Sequence, residues 1–179
     1  SSAASDVYKR QDNIFADALN RGVTFDVKAA YASALRNGSV YSVNNRKNSY
    51  SGRAHMDGMV FLGYVPQDGL TGGWGGEEFN FSWSMEGSGT DFAIASMAKY
   101  LRDQEGSESA AWQKYNDEYL YFTARATNYV HLFNESMGGW FRAKKSDGTW
   151  LQTDEQFDPT AQGYGYCEDN AYNYAFPPY

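Results

Sequence analysis

Residues 109–133 read SAAWQKYNDEYLYFTARATNYVHLF. Trp112, Tyr115, Tyr119, Phe122, Ala126, Tyr129 and Phe133 recur in this stretch at alternating intervals of three and four residues. Such spacing returns a side chain to one face of a helix with about 3.6 residues per turn, so it predicts an amphipathic helix of about 25 residues from near Ser109 to Phe133. The tyrosines can bury their ring bodies while their hydroxyls reach polar partners. No matching apolar seam recurs elsewhere in the chain, which argues against a coiled coil.

Upstream, TDFAIASMAKYLRD (90–103) places Ile94, Met97, Ala98 and Leu101 on one face. It reads as a second helix capped by Thr90 or Asp91. QEGSES (104–109) joins the pair as a turn. Nearer the N-terminus, a short helix starts at Asp12 with Ile14, Phe15, Ala18 and Leu19 as its stripe, ended by Arg21 and Gly22. Asp26 caps a further helix through VKAAYASAL, stopped by Asn37 and Gly38. The polar stretch from Ser39 to Gly63 reads as a surface loop. Pro66 and the glycines from Gly63 to Gly76 forbid a regular helix, leaving Tyr64, Trp74 and Glu77 on irregular backbone where binding residues are common.

Downstream, Asn134 to Gly139 turns the chain, and GWFRAKKSDGTW (139–150) predicts a short β-hairpin through Asp147–Gly148. The closing stretch GYGYCEDNAYNYAF (163–176) is read as a helix starting near Glu168 and ended by Pro177. Helix pairs joined by loops of very unequal length, without a βαβ unit or repeat, predict a mainly α fold. Paired long helices with elaborated loops on one side suggest an α/α toroid or part of one. SSAASDVYKRQ (1–11) lacks both a core pattern and a cleavable apolar segment, and is expected to be a foreign leader; residues 12–179 form the domain.

The bulk numbers exclude several functions. There are 22 acidic against 15 basic residues, for a formal charge of -7, which gives no electrostatic reason to hold nucleic acid. No apolar stretch is long enough for a transmembrane helix. One cysteine, Cys167, allows neither an internal disulfide nor a cysteine-based zinc site. Aromatics at 17%, led by 15 tyrosines, fit either a Tyr-rich core or a wet aromatic cleft suited to sugars and other amphipathic ligands.

Glu168 is the foremost acid, set among Tyr164, Tyr166, Tyr172 and Tyr174. Partial desolvation there would raise its pKa and let it deliver a proton near neutrality, as acetal cleavage requires. The same residue type also favours the first turn of a helix, so the residues leave a catalytic acid and a simple cap both open. Glu86, with Trp83 close by, and Asp91 are the next acids; Asp91 also reads as a helix cap. Glu77 and Glu78 in their glycine-rich loop read as solvated. The chain has no HExxH, DxDxDG, GxGxxG, P-loop or nucleophile elbow, so no metal ligand is assigned within it.

Taken in order, DNIFADALNRGVTFDVKAAYASAL, GYVP, SWSMEGSGTDFAIASMAKYL, YFTARATNYVHLFN, GGWFRAKKSDGTW, FDP and YCEDNAYNYAF cover nearly all of Asp12 to Phe176. This ordered set resembles glycoside hydrolase family 92, the calcium-dependent exo-acting α-mannosidases. The resemblance implies an internal fragment of an (α/α)6 toroid, with a β-sandwich-like domain preceding it and the remaining toroid following. It implies hydrolysis of mannose-containing glycans with inversion, Glu168 as general acid within the motif Glu168-Asp169-Asn170, and Glu86 and Asp91 shaping the site or orienting its groups. Trp83, Trp74, Tyr64 and Tyr172 are expected from their aromatic character to bind substrate beside them. Calcium would assist, with its ligands and the general base mostly outside this chain, so the fragment alone is expected to be inactive. A periplasmic or secreted location follows by the same resemblance, with neither nucleic acid nor membrane as partner.

The departures from the family pattern are specific. Asp169 stands where the family has Gly, Gly87 and Gly89 replace aromatics, Thr90 replaces Asp, Tyr172 replaces Trp, and FPPY does not reproduce VPHD. They motivate a second reading, a non-catalytic carbohydrate-binding toroid that stacks sugars on Tyr64, Trp74, Trp83 and Tyr172. A third is a different helical toroid hydrolase or lyase acting on polysaccharide.

Overall fold

The computed structural model describes residues 11–40, 53, 56–68, 79–167 and 169–175. Within them the chain is mainly helical, with one two-stranded sheet. The helices are α1 (Gln11–Asn20), α2 (Val27–Ser39), α3 (Met56–Phe61), α4 (Asn80–Asp103) and α5 (Ala110–Ala126). Strands β1 (Phe133–Asn134) and β2 (Trp140–Phe141) pair antiparallel, with Phe133 opposite Phe141. Among the described residues no helix is long and apolar enough to cross a membrane.

The aromatic seam forms α5 as its spacing predicts. Ser109 caps it, its Oγ accepting from the Trp112 N–H at 3.0 Å. The α-helix stops at Ala126, however, and a 3-10 segment carries the chain from Thr127 to Leu132. The tighter winding, about three residues per turn, rotates the face. Leu132 becomes the buried residue, while Phe133 is 42% exposed and opens β1.

The largest correction concerns α4. It starts at Asn80, so Thr90 and Asp91 lie inside the helix and cap nothing. Gly87 and Gly89, which precede the expected cap, are within it. A Cβ built at Gly87 would meet Met59 Cε at 2.9 Å, so this glycine lets α3 and α4 close on each other. The hydroxyls are satisfied locally. Ser84, Ser88, Thr90 and Ser96 each donate to the carbonyl four residues back, which allows three of these four side chains to be buried.

Two further glycines tell the same story from opposite sides. Gly22 (φ 74) ends α1 as expected, with Gly22 N–H reaching Leu19 O and Val23 N–H reaching Ala18 O. Gly38 does not stop α2, which Asp26 caps and which runs on to Ser39. A Cβ at Gly38 would lie 2.6 Å from Ile94 Cδ1 and 3.2 Å from Phe122 Cε1, so it is a contact residue among three helices. In α1 the buried positions are Asp12 and Ala16; Phe15 and Leu19 pack partly buried, and Ile14 faces solvent.

Two apolar clusters share α4 as their spine. Its C-terminal half, through Ile94, Met97 and Leu101, packs with Ala30, Ala34 and Phe122 of α2 and α5. Arg102, late in α4, donates to Asn116 early in α5, whereas Asp91 meets Arg125 near the end of α5, so the two helices run antiparallel. The N-terminal half, through Phe81 and Met85, packs with Tyr64, Leu132, Phe141, Phe157 and Tyr166 from the loop-rich layer. There the Asp147–Gly148 turn forms as expected: Lys145 N–H donates to Thr149 O at 2.8 Å, and Asp147 Oδ1 accepts from the Thr149 N–H. Most of the Ser39–Gly63 loop lies outside the described residues, although α3 occupies part of that span. The closing stretch makes turns over 171–174 where a helix was expected.

Candidate functional site

The tyrosine-rich C-terminal stretch is laid onto the first turns of α4. Gly163, Tyr164 and Gly165 all have positive φ, of 90°, 54° and 96°. This left-handed turn reverses the chain so that Tyr166 enters the core, where its hydroxyl donates to Phe141 O at 2.7 Å. Gly165 is required for the close approach: a Cβ there would meet Gln67 Oε1 at 2.7 Å and Phe81 Cβ at 2.9 Å.

Ser82 is the point of attachment. Its N–H donates to Gly165 O at 3.1 Å, its Oγ accepts from the Cys167 N–H at 2.8 Å, and the same Oγ lies 2.7 Å from the Tyr174 hydroxyl. Tyr174 and Tyr166 flank Phe81, with ring centroids 5.1 and 4.7 Å from it. Burial raises the pKa of the Tyr174 hydroxyl; the Ser82 hydrogen bond opposes this, while Glu86, Cys167 and Asp169 push it further up. Tyr166 is likewise raised by burial. Glu86, one turn beyond Ser82, and Asp169 therefore share the field of one sheltered phenol.

The other expected site residues fall in several places. Trp83 is half-buried on α4, beside Ser82 in the chain. Asp169 accepts from the Asn170 N–H at 2.9 Å and from the Asn173 side chain, and Asn170 Oδ1 accepts from the Tyr172 N–H at 3.0 Å. Tyr172 is 54% exposed, its ring edge-on to Trp140 at 4.9 Å. Tyr64 is buried in the loop-layer core, its hydroxyl donating to Lys145 O at 2.9 Å, so its ring offers little surface to a ligand. Glu168, Trp74, Glu77 and Glu78 lie outside the described residues.

Asp91 is fully buried at the junction of the helices. Its Oδ1 accepts from Arg53 Nη1 at 2.5 Å and Arg125 Nη2 at 2.6 Å, and its Oδ2 accepts from Arg125 Nε at 2.6 Å. Arg125 Nη2 also reaches Gly38 O at 2.8 Å. Burial alone would lower the pKa of the guanidinium; the hydrogen bonds and charge of Asp91 outweigh it and raise it. Sequence reasoning missed Arg125, Arg53 and Ser82, and gave Tyr174 as part of the aromatic frame around Glu168 without its link to α4. The available signal was an aspartate on a helix face otherwise made of Gly, Ser, Ile and Ala, which demands a buried cation.

Among the described residues no three His, Cys, Asp or Glu side chains converge as a metal site.

The profile of the glycosyl hydrolase family 92 catalytic domain matches residues 7–178, beginning inside the segment read as a leader, and the chain belongs to that family of glycoside hydrolases. A comparison with curated proteins found no match.

Proposed function

We propose that this chain carries the acid side of an inverting α-mannosidase active site, in which Glu168 protonates the departing glycosidic oxygen. The observation that carries the reading is the sheltered phenol of Tyr174. It belongs to an aromatic group of Phe81, Tyr166 and Tyr174 that Cys167 joins through Ser82, with Glu86 and Asp169 in electrostatic reach of the phenol. Low polarity and neighbouring carboxylates both favour the protonated form of a carboxyl group, the form an acetal-cleaving acid needs. Glu86, Trp83, Asn170 and Tyr172 shape the site, and Asp91, held by Arg125 and Arg53, supports it by fixing α4 among its neighbours. Inversion needs a second carboxylate about 6.5–9.5 Å from the acid to activate water. The proposal places that base, the calcium ligands, the preceding β-sandwich and the remaining toroid elsewhere in a longer secreted or periplasmic enzyme.

A second reading, a carbohydrate-binding module without catalysis, is favoured by the half-exposed Tyr172 ring propped on Trp140. Titrating the full-length protein with α-mannobiose while following product by NMR separates the two. Release of mannose as the β-anomer supports the enzyme; binding without release supports the module; neither binding nor release sinks both.

A further inference from the structure

We propose that Ser82 is a positioning residue for the reaction, a clamp that fixes the chain on either side of position 168 against α4. The inference rests on the reading of Glu168 as the acid. Ser82 is 4% exposed, and unlike Ser88 and Ser96 of the same helix, whose hydroxyls donate to carbonyls four residues back, it bonds across to the C-terminal stretch: its Oγ meets the Cys167 N–H at 2.8 Å and the Tyr174 hydroxyl at 2.7 Å. Its own N–H holds Gly165 O at 3.1 Å.

One side chain and one amide thus gather three points of the 165–174 stretch. A hydroxyl suits this task because it has two lone pairs and one rotatable proton, so it can accept from an amide and still donate to, or accept from, a phenol. The raised pKa of Tyr174 keeps that phenol protonated, so the pair persists through the neutral range. Glu86 is one helical turn from Ser82, so the clamp also sets the distance between the acid-bearing stretch and the carboxylate on α4. An acid displaced by a fraction of an ångström protonates a poor leaving group inefficiently, whereas a good leaving group departs without it.

The test uses Ser82→Ala and Tyr174→Phe in the full-length enzyme. On α-mannobiose, Ser82→Ala lowers kcat by about tenfold or more with KM little changed, while dinitrophenyl α-mannoside is hydrolysed near the parent rate. Tyr174→Phe keeps the Cys167 anchor and shows a smaller loss of the same kind. Equal losses on both substrates would overturn positioning in favour of a general structural role. Amide hydrogen exchange supplies a readout independent of activity: the Cys167 amide of Ser82→Ala exchanges about tenfold faster or more, while core amides such as Ile94 do not change. If the exchange result holds and the parent is inactive on mannosides, the clamp stands and the mannosidase reading fails. If Cys167 exchange is unchanged, the clamp is wrong whatever the activity.

Discussion

Arg125 grips Asp91 with two nitrogens, Nε on one carboxylate oxygen and Nη2 on the other, each at 2.6 Å, in a pocket where Asp91 is fully buried. Truncating Arg125 removes both of these contacts and leaves the buried Asp91 with Arg53 as its remaining cation. Arg125→Ala is expected to lower unfolding free energy by about 3–5 kcal/mol in urea titrations. Arg125→Lys should recover only part of the loss, because an ammonium cannot reproduce the two-pronged contact. A loss below about 1 kcal/mol would show the pair to be energetically idle.

Gly38 and Gly87 offer a paired test of close packing. Both sit inside helices, where alanine is intrinsically better by about 1 kcal/mol. At Gly38 the new methyl meets Ile94 Cδ1 at 2.6 Å with the Phe122 ring behind it, and the cost of overpacking exceeds that gain; Gly38→Ala should destabilise by about 1–3 kcal/mol. At Gly87 the obstacle is Met59 Cε at 2.9 Å, the free end of a flexible thioether that can swing aside. Gly87→Ala should therefore be much milder, and an equal or larger loss there would contradict the geometry.

Asp12 predicts a pH dependence with a definite sign. Burial raises its folded-state pKa, against the opposing influence of Arg53 and Asn37 and with a further push from Asp91. The folded state then holds the proton more tightly than the unfolded chain. The contribution is fully favourable below the ordinary aspartate range and is lost as pH rises through the raised folded value. Asp12→Asn should flatten this decline, measured as unfolding free energy from acid to neutral pH. Identical slopes in parent and variant would refute the assignment.

Gly148, at φ 84°, closes the turn in which Lys145 N–H meets Thr149 O. Open space surrounds it, so Gly148→Ala isolates the backbone cost. A loss of about 1–2 kcal/mol in urea titrations is expected, and no loss would show that the turn relaxes freely.

Much of this fold is written locally. The seam from Trp112 to Ala126, the caps Asp26 and Ser109, the Arg21–Gly22 stop and the Asp147–Gly148 turn all form as their residue types dictate, because each depends on neighbours within a turn or two. The start of α4 was illegible for the opposite reason. Local propensity marks MEGSGTD as a break, and only contacts with Met59, from a distant part of the chain, make glycine useful there. Gly38 misled in the same way. In the candidate site, Glu86 and Asp169 were legible as acids among aromatics. Their meeting around Tyr174 depends on Ser82, whose partners lie 85 and 92 residues away and leave no trace in sequence spacing.

The role of Glu168 is tested most directly by Glu168→Gln in the full-length enzyme, assayed on two mannosides that differ in leaving group. Glutamine keeps the shape and removes the transferable proton. The account predicts a fall of about 10²–10⁴-fold on α-mannobiose with a far smaller effect on dinitrophenyl α-mannoside, whose leaving group departs without protonation. Mannobiose hydrolysis that persists at the parent rate would contradict it.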